Sequence, residues 1–435
     1  MTASQPFLKK FEQHMVYIAT RIEQNRFISS IKNGMISLMA ILMVGSISLI
    51  ITGLGSLFSP DTAISHFFAQ YGALFQLPFT YTFGLLSVYC AITISYHHTQ
   101  KINVAPLYPI ISSVMVTMIL NSKIVEGNIN IAFLDSRGLF VAIIASLATV
   151  EFISWAYRKK ITIRIGGLPD MIAKTFESIF PLLFVVIAAC AMTITSQSLF
   201  NQQIVPELFT TALAPAVSGI DSVWGVFIII LLEMIFWFFG LNGYAILIGF
   251  TLPFMTQYLS LNAANFAQGL PTEHVFTEGW WGAFAACTGS GITGAIALLG
   301  LMSRAPQLKA AGKAAIVPSL FGISEPVVYG FPIAFNPYFF FPFVLGTPIL
   351  ASLTYLVFDM GFVGGPVAQV GGIPTPIAQY FITMDWRAPI VAVLVILAGL
   401  LMYYPFFKMY ERSILNKESE MQAQRDKYDA LNLDF

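Results

Sequence analysis

The sequence predicts an all-α polytopic membrane protein with about ten transmembrane helices, one or more re-entrant hairpins and amphipathic helices at the membrane surface. Three observations point there. Of 435 residues, 57% are hydrophobic and only 10% charged, against about 25% charged in soluble domains, and the mean hydropathy is +0.75. Apolar runs long enough to cross a bilayer, about 20 residues each, recur along the whole chain. Lys and Arg are confined to a few connections, with none between Lys174 and Arg304 and none between Lys313 and Arg387. Net charge is zero, so nucleic-acid binding has no basic face to work with.

The runs that qualify as crossings are roughly 34–57, 73–96, 104–121, 138–157, 179–199, 223–254, 279–302, 338–358 and 388–406. Connections rich in Lys and Arg belong on the cytoplasmic side. The N-terminal segment, Arg158 to Arg164, the Arg304–Lys313 loop and the tail from Lys408 are therefore inside, and 198–222 is outside. Parity then requires 223–258 to cross twice, broken at "GLNG" (Gly240 to Gly243). As one helix it would be about 50 Å long, too long for a core of about 30 Å. The result is ten crossings with both termini cytoplasmic. Residues 318–337 are left over, too broken to span.

Two amphipathic faces are expected on the inner surface or against other helices. One carries Phe7, Phe11, Met15, Ile18 and Ile22; the other, after "GGLPD", carries Ile172, Phe176 and Ile179. The first apolar run begins behind 33 polar and amphipathic residues, so no signal peptide is expected, and the short tail after Phe407 suggests no soluble domain. The break at 198–222 divides the chain into an N-terminal five-span half, 1–200, and a C-terminal five-span half, 201–435. Cys90, Cys190 and Cys287 read as buried packing thiols. His97 and His98 read as an inner-surface pair, and no spacing suggests a metal or cofactor.

Irregular backbone at membrane depth is tolerated only where protein buries it or water reaches it. Three such places lie in the C-terminal half, the third made of two stretches. In "FGISEPVVYGFPIAFNP" (Phe321 to Pro337), prolines and glycines prevent a continuous helix, and a re-entrant hairpin from the cytoplasmic side fits. Glu325 sits near its tip, as a base, a contact for ligand hydroxyls, or a carboxylate satisfied by its own turn. Asn336 is a ligand contact or a turn cap. In "WFFGLNGYAILIG", Asn242 either presents its amide to a ligand or caps a helix C-terminus, and Trp237 can stack on a ligand ring. Glu233, mid-span, needs a partner or a proton. "TGSGITG" (Thr288 to Gly294) reads more readily as small-residue helix packing than as a binding loop. The Gly/Pro-rich stretch Gly364 to Pro389 reads as an outer connection whose Trp386 is a ligand platform or an interface anchor.

At these residues the chain resembles the membrane IIC component of the sugar phosphotransferase system, in the lactose/cellobiose/diacetylchitobiose family. Four blocks carry the likeness over nearly the whole length: Arg137 to Phe152, Ile161 to Pro181, "VPSLFGISEPVVYGFPIAFNP" (Val317 to Pro337), the most specific, and Asp385 to Glu411. The resemblance implies a homodimer joined through its N-terminal halves, with one sugar held in an occluded pocket of each C-terminal half. It also implies a bacterial cell membrane, soluble IIB and IIA partners, and phosphorylation of the carried sugar by a phosphocysteine on IIB. Glu325 matches the family's pocket carboxylate, and Trp386 looks like its sugar-stacking tryptophan. In one respect the chain departs: the family has Gly-Ile-His-Gly at the broken helix, and here the stretch is Gly240, Leu241, Asn242, Gly243. An amide donates and accepts hydrogen bonds but takes no proton near neutral pH, so any base role passes to Glu325 or is absent.

The leading reading is thus inward transport of a β-linked disaccharide or related glycoside, coupled to its phosphorylation. The alternatives are a IIC-like solute transporter or sensor that leaves its ligand unphosphorylated, motivated by Asn242, and an unrelated proton-coupled transporter using Glu233 and Glu325.

Overall fold

In this computed structural model the described residues are 17, 20, 21, 24–54, 62–125, 128–163 and 169–430. The amphipathic face expected from Phe7 to Ile22 falls outside them. Within lipid every backbone polar group needs a partner from the chain itself, and a helix supplies these partners within one segment. From Arg26 onward the described N-terminal part runs through α1 (Arg26–Leu54), α2 (Ala63–Phe83), α3 (Leu86–Lys101), α4 (Leu107–Leu120), α5 (Leu139–Arg158) and α6 (Asp170–Leu199). Two short antiparallel strands, β1 (Lys123–Val125) and β2 (Asn128–Asn130), lie between α4 and α5, with Ile124 opposite Ile129. α1 packs closely on α3 because Gly34 presents no side chain; a Cβ there would meet the Ile94 backbone at 2.9 Å.

The second half starts with α7 (Val205–Ile220), α8 (Val223–Phe238) and α9 (Gly243–Ala267). A short helix, α10 (Glu278–Trp280), widens into a π-turn over Trp281–Ala285. Then come α11 (Thr293–Leu301), α12 (Pro306–Leu320), α13 (Glu325–Gly330) and α14 (Pro337–Phe340), the last running through a second π-turn into α15 (Thr347–Asp359). The chain closes with α16 (Ile377–Thr383) and the 44-residue α17 (Arg387–Ala430). Among the described residues, six helices are long and apolar enough to span a membrane, or up to eight spans if two bent pairs each count as one. The pairs are α2 with α3, bent by 44°, and α7 with α8, bent by 69°.

The break foreseen at Gly240 to Gly243 is present, between α8 and α9. Elsewhere the structure corrects the expectation. Residues 279–302 do not form one crossing. Residues 286–292 are non-helical, Gly289 and Gly291 have φ of 109° and 81°, and α11 has only nine residues, about 14 Å. "TGSGITG" is therefore a buried break rather than a stripe of helix packing. The connection 198–222 contains α7, whose first turn is closed by the Glu207 side chain accepting from the Ile204 N–H at 2.7 Å. Ile172, Phe176 and Ile179 lie in the first turns of α6 and not on a separate surface helix.

His97 and His98 are not a free surface pair. His98 is fully buried and joins Ser30 of α1 to Glu151 of α5, both at 3.0 Å, and His97 contacts Ser37 at 2.9 Å. Cys190 is exposed, whereas Cys90 and Cys287 are buried.

Candidate functional site

The site is built where helices stop short. α8 ends at Phe238, and Gly240 takes the left-handed conformation at φ 77°, which a side chain rarely adopts, turning the chain back. Asn242 then caps the following helix and not the preceding one: its Oδ1 accepts the Ala245 N–H at 2.9 Å. Gly243 must be bare, because a Cβ would lie 2.2 Å from the Glu233 carbonyl oxygen. The second break follows α12, where Gly322 takes φ 79° and Glu325 opens α13 with Pro326 beside it. The Phe335 N–H donates to the Phe238 carbonyl at 3.0 Å, fastening the two breaks together. Across this seam the Asn242 Nδ2 faces Glu325 Oε1 at 3.5 Å, with Glu325 exposed. That distance is long for a direct hydrogen bond, so both groups keep capacity for a ligand hydroxyl.

Behind the seam lies a polar brace. Glu233 is buried on α8 and accepts the Trp281 indole N–H at 2.7 Å. The Ser290 backbone N–H donates to Ser324 Oγ at 2.7 Å, which fixes the residue before Glu325. Thr288 and Ile292, both β-branched, hold left-handed φ values of 62° and 54° in this loop. Such conformations cost on the order of 1–3 kcal/mol each and persist only where the surrounding structure enforces them.

Beside the seam a cavity of about 270 Å³ opens between α1, the π-turn, residues 320–322 and residues 369–375. Its walls include Met39 and Met43, and its polar groups include Glu278 and Gln369. Tyr244 donates its hydroxyl to Glu278 Oε1 at 2.9 Å, and the Gln369 amide nitrogen donates to the other carboxylate oxygen. By contrast, a cavity of about 280 Å³ between α4, α5 and α6 is lined almost wholly by apolar side chains and has little to orient a polar solute.

Of the residues singled out from the sequence, Asn242 and Glu325 are brought together. Trp237 is buried behind them beside Glu233. Asn336 caps α14, its Oδ1 accepting the Tyr338 N–H at 3.1 Å. Trp386 is 69% exposed, next to an Asp385 carboxylate that accepts from the Gly364 N–H at 2.9 Å. Glu278, Tyr244 and Gln369 were missed. For Glu278 a signal existed, an acid bordering an apolar run. Gln369 lay in a stretch taken for an outer loop, yet its backbone N–H reaches Ser46 of α1 at 2.7 Å.

Broken helices meeting around a polar cavity inside a helical membrane protein define a solute transporter of the polytopic all-α class. The family profile "Phosphotransferase system, EIIC" matches residues 32–347, and the chain belongs to that family. It is similar to the putative permease IIC component YwbA of Bacillus subtilis, with 28% identity over 96% of this chain and 98% of that one. It is also similar to the lactose-specific EIICB component of Streptococcus mutans, with 27% identity over 93% of this chain and 73% of the other. The lichenan permease IIC component of Bacillus subtilis is 26% identical over 94% and 95%. In fold it matches the crystal structure of ChbC, the IIC component of an N,N'-diacetylchitobiose-specific phosphotransferase system. That match has a TM-score of 0.84 at 23% identity and covers 94% of this chain and 99% of that one.

Proposed function

We propose that this IIC protein carries a β-linked disaccharide or related glycoside inward across a bacterial inner membrane and delivers it to a separate IIB protein, itself charged by IIA, for phosphorylation. The observation that carries the reading is the Asn242–Glu325 seam, a donor–acceptor pair with spare hydrogen-bonding capacity beside a polar cavity. The lactose, lichenan and oligo-beta-mannoside systems among its relatives support a β-glycoside as the substrate class. In this reading Glu325 and Asn242 hold the sugar, Trp386 covers a ring face, Trp237 backs the site and Asn336 shapes its rim. Residues 1–200 supply the contact of a homodimer, residues 201–435 carry the substrate, and both termini are cytoplasmic.

Phosphoenolpyruvate-dependent sugar phosphorylation, by membranes carrying this chain plus a cognate IIB, tests it. Activity is expected with the natural residue and lost in Glu325→Gln; full activity in that variant would remove Glu325 from the site.

A second reading is favoured by Asn242, which takes no proton: the protein binds and moves its solute without coupled phosphorylation. Solute binding by purified protein, with no phosphorylation by any IIB, distinguishes this reading. Gain of phosphorylation in Asn242→His would attribute the difference to that side chain.

A further inference from the structure

We propose that Glu278 and Gln369 form a second sugar subsite, which reads hydroxyls on the ring farther from the Asn242–Glu325 seam. The proposal rests on the reading of this region as a sugar site. The two places are joined by short stretches of chain: Tyr244, which bonds Glu278, stands two residues beyond Asn242, and Gly322, which lines the cavity, stands three before Glu325. On this proposal a ligand with one ring at the seam extends its second ring past Tyr244 and Gly322 into the cavity.

The chemistry of the cavity is that of acceptors. A carboxylate offers about four lone-pair positions, and Glu278 uses two of them on Tyr244 and Gln369. The Gln369 amide must turn its NH₂ to the carboxylate, since the reverse would set oxygen against oxygen. Its Oε1 is then left buried with no partner among the described residues, as is Oε1 of Gln379 behind the same wall. An unsatisfied buried acceptor costs roughly 1–3 kcal/mol, which a donated hydroxyl hydrogen removes. Gln379 is held in place by its amide donating to the Ala283 carbonyl at 2.7 Å.

Acceptors with no cation among the described lining residues suit a neutral polyhydroxylated ring and disfavour a phosphate or carboxylate. Met39 and Met43 give the C–H face of such a ring an apolar wall. The floor has been left bare, since a Cβ at Gly282 would meet nothing within 4 Å.

The test uses purified full-length protein and two probe classes: β-linked disaccharides (cellobiose, lactose, diacetylchitobiose) and the single-ring methyl β-glucoside, with binding followed by calorimetry. Glu278→Gln changes the carboxylate with little change of shape, and Gly282→Leu fills the cavity without touching a polar group. Each is expected to weaken the best disaccharide tenfold or more while changing the single-ring probe less than threefold; Glu325→Gln weakens both. If one variant fails to assemble, the other decides. Equal loss on both probes, or no loss on the disaccharide, overturns the subsite while leaving the sugar reading intact. A wild-type protein that binds none of the saccharides overturns the sugar reading and the subsite with it.

Discussion

Asn242 and Glu325, 83 residues apart in sequence, face each other at 3.5 Å where two interrupted helices meet. Neither is saturated: the amide oxygen of Asn242 caps α9 while its NH₂ points at the carboxylate, and the carboxylate is exposed. A hydroxyl entering here can accept from one group and donate to the other. Hydrogen bonds to a charged partner contribute about 1.5–3 kcal/mol, so Glu325→Gln is expected to weaken sugar binding about ten- to hundredfold. Calorimetric titration measures this, and an unchanged affinity would exclude the carboxylate from recognition.

Asn242 has two roles that substitution can separate. Ser caps a helix N-terminus about as well as Asn but does not reach Glu325, whereas Ala does neither. Asn242→Ser is expected to melt like the natural protein and bind sugar more weakly. Asn242→Ala should bind weakly and also lose about 1 kcal/mol of stability. Melting curves with and without sugar check both; a Ser variant with full affinity would leave Asn242 as a cap alone.

The Glu233–Trp281 hydrogen bond is a buried contact with a clear cost of removal. Glu233→Leu strands the indole N–H and is expected to destabilise the protein by about 1–3 kcal/mol, while Glu233→Gln keeps an acceptor and costs less. Thermal melting in detergent without ligand distinguishes the two, and equal melting temperatures would show that the bond contributes nothing.

Gly243 allows α9 to begin against the Glu233 carbonyl. Gly243→Ala forces one of the two helices to shift, at about 1–3 kcal/mol or more. The shift also moves Asn242, so lower sugar affinity is expected together with a lower melting temperature. A variant that melts and binds like the natural protein would contradict the close contact of α8 with α9.

The chain's own chemistry announced the membrane: few charges, long apolar runs and cations segregated to certain connections. It also announced the break at Gly240 to Gly243, because the run was too long for one crossing, and the interruption around Glu325, because prolines there remove helix donors. These are local properties, legible one segment at a time.

What local pattern could not reveal was which apolar segments stay helical and which polar side chains converge. Residues 279–302 are apolar enough to cross, yet the turn at Gly289 and Gly291 splits them, and contacts from distant segments, Ser324 Oγ on the Ser290 N–H and the Tyr403 hydroxyl on the Gly291 carbonyl, hold that strained path. Gln369 looked like part of a loop and Glu278 like the edge of a span. Composition alone made this a helical membrane protein with broken elements in its C-terminal half. Tertiary structure alone set Asn242 against Glu325 and Glu278 against Gln369, since hydrogen bonds between distant segments depend on how helices pack and leave no periodicity in the sequence.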